Sequence, residues 1–281
     1  MRPLREQIAV VTGASRGGGR GIARVLGSHG ATVYVTGRTT RAGTSPTGRP
    51  ETIEDTADEV TAAGGNGIPV AVDHTDADQV RDLFDRVRRE EGRLDLLVSN
   101  AWGGYEMDVG GDPLWKLDLA HLDLMYTAGL RAHIVTIQEA ASLLNDTRDG
   151  LVVFTTWAVR DDYHGQLYYD VIKTAINRIP VGVAYHMGEY GVTAVAVSPG
   201  WMSVEHMNLT ENEEAQTESV EFVGRGVAAL ASDADVARHT GKLLTVIELA
   251  GEYGFTDVNG RSTSPFWENK GWLPEVWNAQ D

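Results

Sequence analysis

The chain has 281 residues, 42% hydrophobic and 23% charged, with no cysteine and a formal net charge of −16. Those values suit a globular protein of one large domain or two small ones. The lack of cysteine excludes disulfides, thiolate metal sites and thiol catalysis, and the acidic balance argues against a nucleic-acid partner, whose phosphates it would repel.

No apolar run approaches the roughly 18 residues needed to span a bilayer. The N-terminus, MRPLREQIAVVTGAS, lacks the long apolar region and small-residue cleavage site of a signal peptide. A cytoplasmic location with no membrane role is the expectation.

Short β-branched runs alternate with longer helical patterns along the whole chain. Strands are expected at Ile8–Thr12, Thr32–Thr36, Ile68–Val72, Leu94–Ser99, Leu151–Thr156, Thr193–Ser198 and near Lys242–Thr245. Between them, helices are expected to include Arg20–His29, Thr52–Ala63, Asp76–Glu90, Ala120–Leu144 and Leu167–Met187. Strand runs such as LDLLVS and VTAVAVS are nearly continuous in apolar residues, as in a parallel sheet buried on both faces. The alternation implies right-handed crossovers and a doubly wound α/β fold, with one mostly parallel sheet of about seven strands. No repeat or linker divides residues 1–281, so one domain is expected. Two long irregular stretches, TTRAGTSPTGRP after the second strand and EHMNLTENEEAQTES after the sixth, have the length of functional loops. The latter belongs to an expected substrate loop at 201–222, and a tryptophan-rich tail follows at 261–281.

VVTGASRGGGRGIA leaves the first strand and opens the first helix. Gly13, Gly17 and Gly19 would let the backbone turn tightly and approach a pyrophosphate at the helix N-terminus. Such a loop is a weak signal alone and a strong one inside an N-terminal βαβ unit. At the end of the second strand, where a carboxylate commonly binds the ribose of NAD, stands Arg38, with Arg16 in the glycine loop. A guanidinium suits a 2′-phosphate, and no carboxylate is expected nearby to repel it, so NADP(H) is the expected cofactor.

QLYYDVIK, Gln166–Lys173, holds two tyrosines and a lysine on an expected helix. Tyr169 and Lys173 are four apart and share a face; Tyr168 is five from the lysine and does not. A phenol beside an ammonium has its pKa lowered from ~10. Alone, such a pair reads as a core tyrosine with a surface lysine, and the rest of the chain has to decide.

Taken together, in this order and spacing, these motifs resemble the short-chain dehydrogenase/reductase family from about Ile8 to Ala250. The family's TGxxxGxG is Thr12 through Gly19, its adenine-contacting aspartate is Asp73 in VDHTD, and its NNAG is altered to SNAWGG with Asn100 and Ala101 kept. Its Y-x-x-x-K is Tyr169 to Lys173, and its P-G after the sixth strand is Pro199-Gly200. The resemblance implies a Rossmann domain with NADP(H) held by Gly13, Ser15, Arg16, Gly17, Gly19, Arg38, Asp73, Asn100, Ala101, Lys173, Pro199 and Gly200. It also implies a catalytic hydroxyl thirteen residues before the tyrosine, which from Tyr169 is Thr156 and from Tyr168 is Thr155, on the other side of the strand. Catalytic roles therefore fall to Tyr169, Lys173 and Thr156. Hydride transfer to a carbonyl leaves an oxygen that needs a proton, which Tyr169 would supply. Lys173, with the positive oxidised nicotinamide, would lower the phenol's pKa and bind the ribose, and Thr156 would polarise the substrate oxygen.

The chain departs from the family at several positions. Thr156 replaces the usual serine, Gly129 stands where an asparagine holds the relay water, Val204 replaces a cofactor-contacting threonine beside Ser203, and Gly18 replaces Ile or Leu. Trp102, Trp157 and Trp201 each follow a strand, the fourth, fifth and sixth, so a mouth for an apolar or aromatic substrate is expected there. Arg160 and His164 lie on the same approach.

The expected activity is interconversion of a ketone or aldehyde with its alcohol, in the direction of reduction. The alternative is an NADP(H)-binding sensor or scaffold without turnover. Ile172, Ile176 and Ile179, with Val181, Val183 and Tyr185 on other faces, and Trp267, Trp272 and Trp277 in the tail, point to a homotetramer or homodimer.

Overall fold

The computed structural model describes residues 4–43, 45, 48–107, 112–157, 163 and 165–268. Arg160, His164, Trp272, Trp277 and the side chain of Trp267 lie outside the described residues.

The apolar run Ile8–Val11 forms β1, buried at every position, and pairs in parallel with β2 (Thr32–Gly37) on one side and β4 (Leu96–Ser99) on the other. β3 (Asn66–Ala71) flanks β2, while β5 (Leu151–Thr155), β6 (Thr193–Ser198) and β7 (Leu243–Thr245) extend the other side. The seven strands are all parallel in the order β3-β2-β1-β4-β5-β6-β7. Strand order reverses between β1 and β4, so the loops leaving their C-terminal ends part and open a crevice there.

Alternate strand residues serve the two faces. Ala9, Val11, Val33, Val98 and Val153 pack under α1 (Gly17–Ser28) and α2 (Ile53–Ala62), joined by α8 (Val220–Ser232) and α9 (Val246–Tyr253). Val10, Tyr34, Leu97, Val152 and Phe154 pack under α3 (Ala77–Glu91), α5 (Ala132–Thr147) and α6 (Leu167–Met187). Three shorter helices, α4 (Leu119–Met125), α7 (Glu211–Glu214) and α10 (Pro265–Glu268), lie in the connections. No helix among the described residues is long and apolar enough to cross a membrane.

The structure differs from the sequence expectation in three places. The helix expected over 120–144 is divided, because Tyr126–Arg131 forms a π-turn between α4 and α5. The helix α8 was not among the helices expected, and its sequence VEFVGRGVAALAS carries two glycines, poor helix formers. Its reason is tertiary: a Cβ on Gly224 would stand 2.9 Å from the Gly21 carbonyl, so the glycines allow α1 and α8 to cross at close range. Finally, the acidic stretch after β6 is partly helical, since Thr210 and Glu213 form a reciprocal capping box that opens α7.

Candidate active site

The first wall of the crevice is built from backbone. Thr12 is fully buried, and its hydroxyl accepts from the N–H groups of Asn100 (2.8 Å) and Ala101 (2.9 Å). The Asn100 side chain donates back to the carbonyls of Thr12 (2.9 Å) and Gly13 (3.2 Å). These bonds lock the end of β1 to the end of β4. Gly13 turns with φ +63°, and a Cβ there would lie 2.8 Å from Ala101 Cα. Any other residue would push the loop off β4. Gly19 lies against the Gly13 carbonyl, and Ser15 is buried beneath the turn. Gly17 opens α1, and its N–H donates to both carboxylate oxygens of Glu205 at 3.1 and 2.9 Å. An anion therefore already stands at a helix end whose free N–H groups and dipole favour one.

Two arginines flank this turn. Arg16 donates to the Thr39 hydroxyl (2.8 Å) and lies 3.8 Å from Glu51. Arg38, at the end of β2, forms an ion pair with Glu106. The expectation that no carboxylate stands near these arginines is thus overturned. Glu106 arrives from the loop after β4, too far along the chain for the local sequence to reveal. Asp73 follows β3, and its carboxylate accepts from the N–H (2.9 Å) and hydroxyl (2.8 Å) of Thr75.

The opposite wall is built from side chains. In β5, Val152 and Phe154 face the α6 side, so the next even position, Thr156, faces it too. Thr156 Oγ1 donates to Asn177 Oδ1 (2.6 Å) and lies 3.4 Å from the Lys173 carbonyl. Thr155 points the other way and donates to Asn100 Oδ1 (2.9 Å). On α6, Tyr169 and Lys173 lie on the buried face, each 7% exposed. Tyr168 sits to one side, half-buried.

Lys173 does not rest on the phenol oxygen. Its Nζ lies 3.9 Å from the centre of the Trp102 ring and 5.4 Å from the centre of the Tyr169 ring. Burial draws the lysine from 10.5 down to about 7. Burial, followed by the adjacent Tyr105, holds the Tyr169 phenol well above 10. The lowering expected of Lys173 acting with an oxidised nicotinamide has to work against this burial, because desolvation dominates the phenol. Tyr105 stacks on Tyr169 at 6.2 Å, with the two hydroxyls 3.4 Å apart.

Of the three tryptophans expected at a substrate mouth, Trp102 and Trp157 both pack against the core cluster on the α6 side. Trp102 packs edge-on to Tyr169, with ring centres 5.5 Å apart, while Trp157 packs against Phe266 at 5.3 Å. The Trp201 carbonyl accepts from the Glu218 N–H (2.9 Å), while Glu218 Oε1 accepts from Gly200 N–H (2.7 Å), and this pair ties down the loop after Pro199. A cavity of about 130 Å³ reaches Tyr169 from between α4 and the start of α6. Its walls include Leu114, Leu117, His121, Met125 and Tyr168.

A family model described as short chain dehydrogenase matches residues 7–216. This chain belongs to the short-chain dehydrogenase family. It is 32% identical over 282 residues to dehydrogenase/reductase SDR family member 1 of Mus musculus, covering 94% of this chain and 87% of that one. With the 1-cyclohexenylcarbonyl-CoA reductase of Streptomyces collinus it shares 30% identity over 212 residues, covering 75% and 70% of the two chains. A short-chain dehydrogenase from Burkholderia cenocepacia, solved in complex with NADP, superposes with a TM-score of 0.73 at 27% identity, covering 86% of this chain and 97% of that one.

As a short-chain dehydrogenase the chain is an oxidoreductase of a family that uses NAD(P), and its residues fit such a cofactor. The cradle of Gly13 and Gly19 has no room for side chains, and the Glu205 carboxylate stands in for an anion at Gly17. Two departures from the family pattern are filled by neighbours. A Cβ on Gly18 would lie 3.3 Å from Met202, and one on Gly129 only 2.5 Å from the Trp102 ring. Val204 faces Gly17, and Ser203 N–H donates to the Glu218 carbonyl (2.9 Å). Sequence reasoning missed Glu106, Glu205, Tyr105 and Asn177. Only Asn177 carried a usable signal: it lies four residues after Lys173, on the same helix face.

Proposed function

We propose that this short-chain dehydrogenase is an NADP(H)-dependent reductase of small, mainly apolar ketones or aldehydes, with Tyr169 as its general acid. The observation that carries the reading is the buried Tyr169 phenol, held protonated at neutral pH at the end of an apolar cavity, with Lys173 and Thr156 on the same side. A protonated phenol is the form that reduction needs, since the carbonyl oxygen must receive a proton; oxidation needs the phenolate.

The cofactor, when bound, supplies the hydride. Gly13, Ser15, Gly17 and Gly19 would hold its pyrophosphate side, Asp73, Asn100 and Ala101 its adenosine and central part, and Pro199, Gly200 and Lys173 its nicotinamide end. Arg16 and Arg38 support a 2′-phosphate, with Glu106 as the group that phosphate must displace from Arg38. Binding of NADP by the Burkholderia relative agrees with this preference. Thr156 would share its hydroxyl hydrogen with the substrate oxygen, and Tyr169 would pass its proton to that same oxygen.

The test is NADPH oxidation against a panel of cyclic and aromatic ketones and aldehydes. The wild type should turn over, and Tyr169→Phe should lose at least about 10³-fold in kcat with NADPH affinity unchanged. Tyr168→Phe should stay within a few-fold. NADPH binding without oxidation by any compound would favour a sensor or scaffold.

The assembly proposed is a homotetramer or homodimer. Ile172, Ile176 and Val183 are spent in the chain's own core, which removes them as an interface. Leu119, Tyr126, Ile134, Val171 and Tyr185, on the helices α4 and α6, the π-turn and α5, stand exposed and take their place. Light scattering should give a multiple of 30.5 kDa, and a monodisperse monomer would remove the proposal.

A further inference from the structure

Gly129 and Trp102 occupy each other's space. Gly129 is buried in the π-turn, and a Cβ there would lie 2.5 Å from Trp102 Cζ3 and 2.9 Å from Cε3. On the indole's other side, a Cβ on Gly104 would lie 2.5 Å from Cζ2. Two glycines thus clamp a ring that no side chain at position 129 could accompany. The indole N–H is buried with no acceptor among the described residues, so ring packing rather than hydrogen bonding holds it. One ring face receives Lys173 Nζ at 3.9 Å, and the ring meets Tyr169 at 83°.

We propose that Trp102 is a positioning residue that replaces the missing relay side chain, its indole face holding the Lys173 ammonium beside Tyr169. This rests on the reading of Tyr169 and Lys173 as the catalytic pair. Burying an ammonium is costly without compensation. Indole is the best aromatic partner for a cation, and its attraction strengthens once water is excluded. Where a carboxamide would act through a held water, the ring meets the charge directly and takes the space of a side chain at position 129. Among the described residues, the titratable groups near Lys173 are Tyr169 on its own helix, on which Tyr105 from the loop after β4 stacks, and His133 on α5. Burial keeps His133 neutral, with its pKa lowered to about 3. Against burial alone, the indole favours the charged form of the lysine.

The chain has four lysines, Lys116, Lys173, Lys242 and Lys270, so lysine Cε signals can be assigned singly in the full-length protein. In protein carrying ¹³Cε-lysine, the signal lost in Lys173→Arg should be shifted upfield of the other three by the indole ring current. In Trp102→Leu that signal should move back toward the others, and its pKa should fall by about one unit. Trp102→Phe should lie between. Gly129→Ala keeps the indole but drives it off its seat, and should also abolish the upfield shift. In carbonyl reduction, the pH profile of kcat should move with the lysine while KM changes less. A wild-type Lys173 signal without the upfield shift, or a pKa in Trp102→Leu that stays or rises, overturns the proposal. The wild-type spectrum decides even where a variant does not fold. The spectra require no turnover, so an active Tyr169→Phe enzyme would sink the catalytic reading while leaving the lysine result to stand or fall alone.

Discussion

At the end of β1 the crevice is faced by peptide groups, and at the end of β5 by side chains. The difference shows in how each tolerates change. At the β1 end, Gly18 stands where the family has a larger residue, yet the bonds among Thr12, Asn100, Ala101 and Gly13 are all in place, and Met202 covers the gap. At the β5 end, the change to Gly129 comes with Trp102 in the vacated space and with Lys173 resting on it. A site made of peptide groups survives side-chain exchange because its geometry belongs to the backbone. One made of side chains has to be rebuilt when a member is lost, and the rebuilding redistributes charge.

The largest effect on stability is expected where β2 and β4 meet α5. His74 bridges the Thr36 hydroxyl (2.8 Å) on β2 and the Thr136 hydroxyl (3.2 Å) on α5, and His133 meets the Ser99 hydroxyl (2.7 Å) on β4. Burial lowers their pKa values from 6.5 to about 4 and about 3. Above about pH 6.5 both are neutral in either state and add no pH dependence. As pH falls below that, the unfolded chain takes up protons that the folded one refuses, so stability is lost down to the folded pKa values. At pH 5 each histidine should remove about 2 kcal/mol. Urea unfolding at pH 7 and pH 5 reads this directly. His74→Gln and His133→Gln should each flatten the dependence by that amount, and variants as pH-sensitive as the wild type would show that the histidines are not its source.

The same contrast explains what could be read in the sequence. The seven strands, the glycine turn and the Tyr169–Lys173 face were legible because periodicity and local spacing determine them. The Thr156 assignment came from the family resemblance, thirteen residues before Tyr169, and strand alternation set Thr155 on the other side, where it bonds to Asn100. What escaped depends on contacts between segments far apart in the chain. Glu106 and Arg38 lie 68 residues apart, and Glu205 and Gly17 lie 188 apart. The two glycines of α8 argue locally against a helix, and Gly224 matters because Gly21 crosses it there. The tryptophans were placed by their positions after strands, which fixes where a backbone leaves the sheet but not where an indole turns.

In turnover, the larger effect would sharpen the account of the β5 end. Thr156→Ala should cost about 10²-fold in kcat, as for a lost oxyanion-type donor, with Thr156→Ser near wild type. Asn177 now receives the Thr156 hydroxyl hydrogen, so it sets where that hydrogen points. Asn177→Ala should free it, changing kcat by about ten-fold at most with cofactor KM unmoved. Asn177→Asp should bind the hydrogen more tightly and slow turnover. Equal losses in Thr156→Ala and Thr156→Ser would mean that the hydroxyl is not what matters.

The smallest effects probe whether the β1 end is as passive as its backbone suggests. Two carboxylates already sit on groups that a phosphorylated cofactor would use: Glu106 on Arg38 and Glu205 on the Gly17 N–H. Arg38→Asp removes a charge-assisted contact of about 1.5–3 kcal/mol and should raise KM for NADPH by ten-fold or more, leaving NADH little changed. The glutamates should act in the opposite direction. Glu106→Gln frees Arg38 alone, so it should lower KM for NADPH a few-fold and leave NADH unmoved. Glu205→Gln weakens a competitor for the pyrophosphate, which both cofactors carry, so it should lower KM for NADPH and NADH alike. That split between one cofactor and both distinguishes a 2′-phosphate contact from a general anion seat. If Glu205→Gln raised both KM values instead, the carboxylate would be holding the loop after β6 in its binding form, and the β1 end would depend on side chains after all.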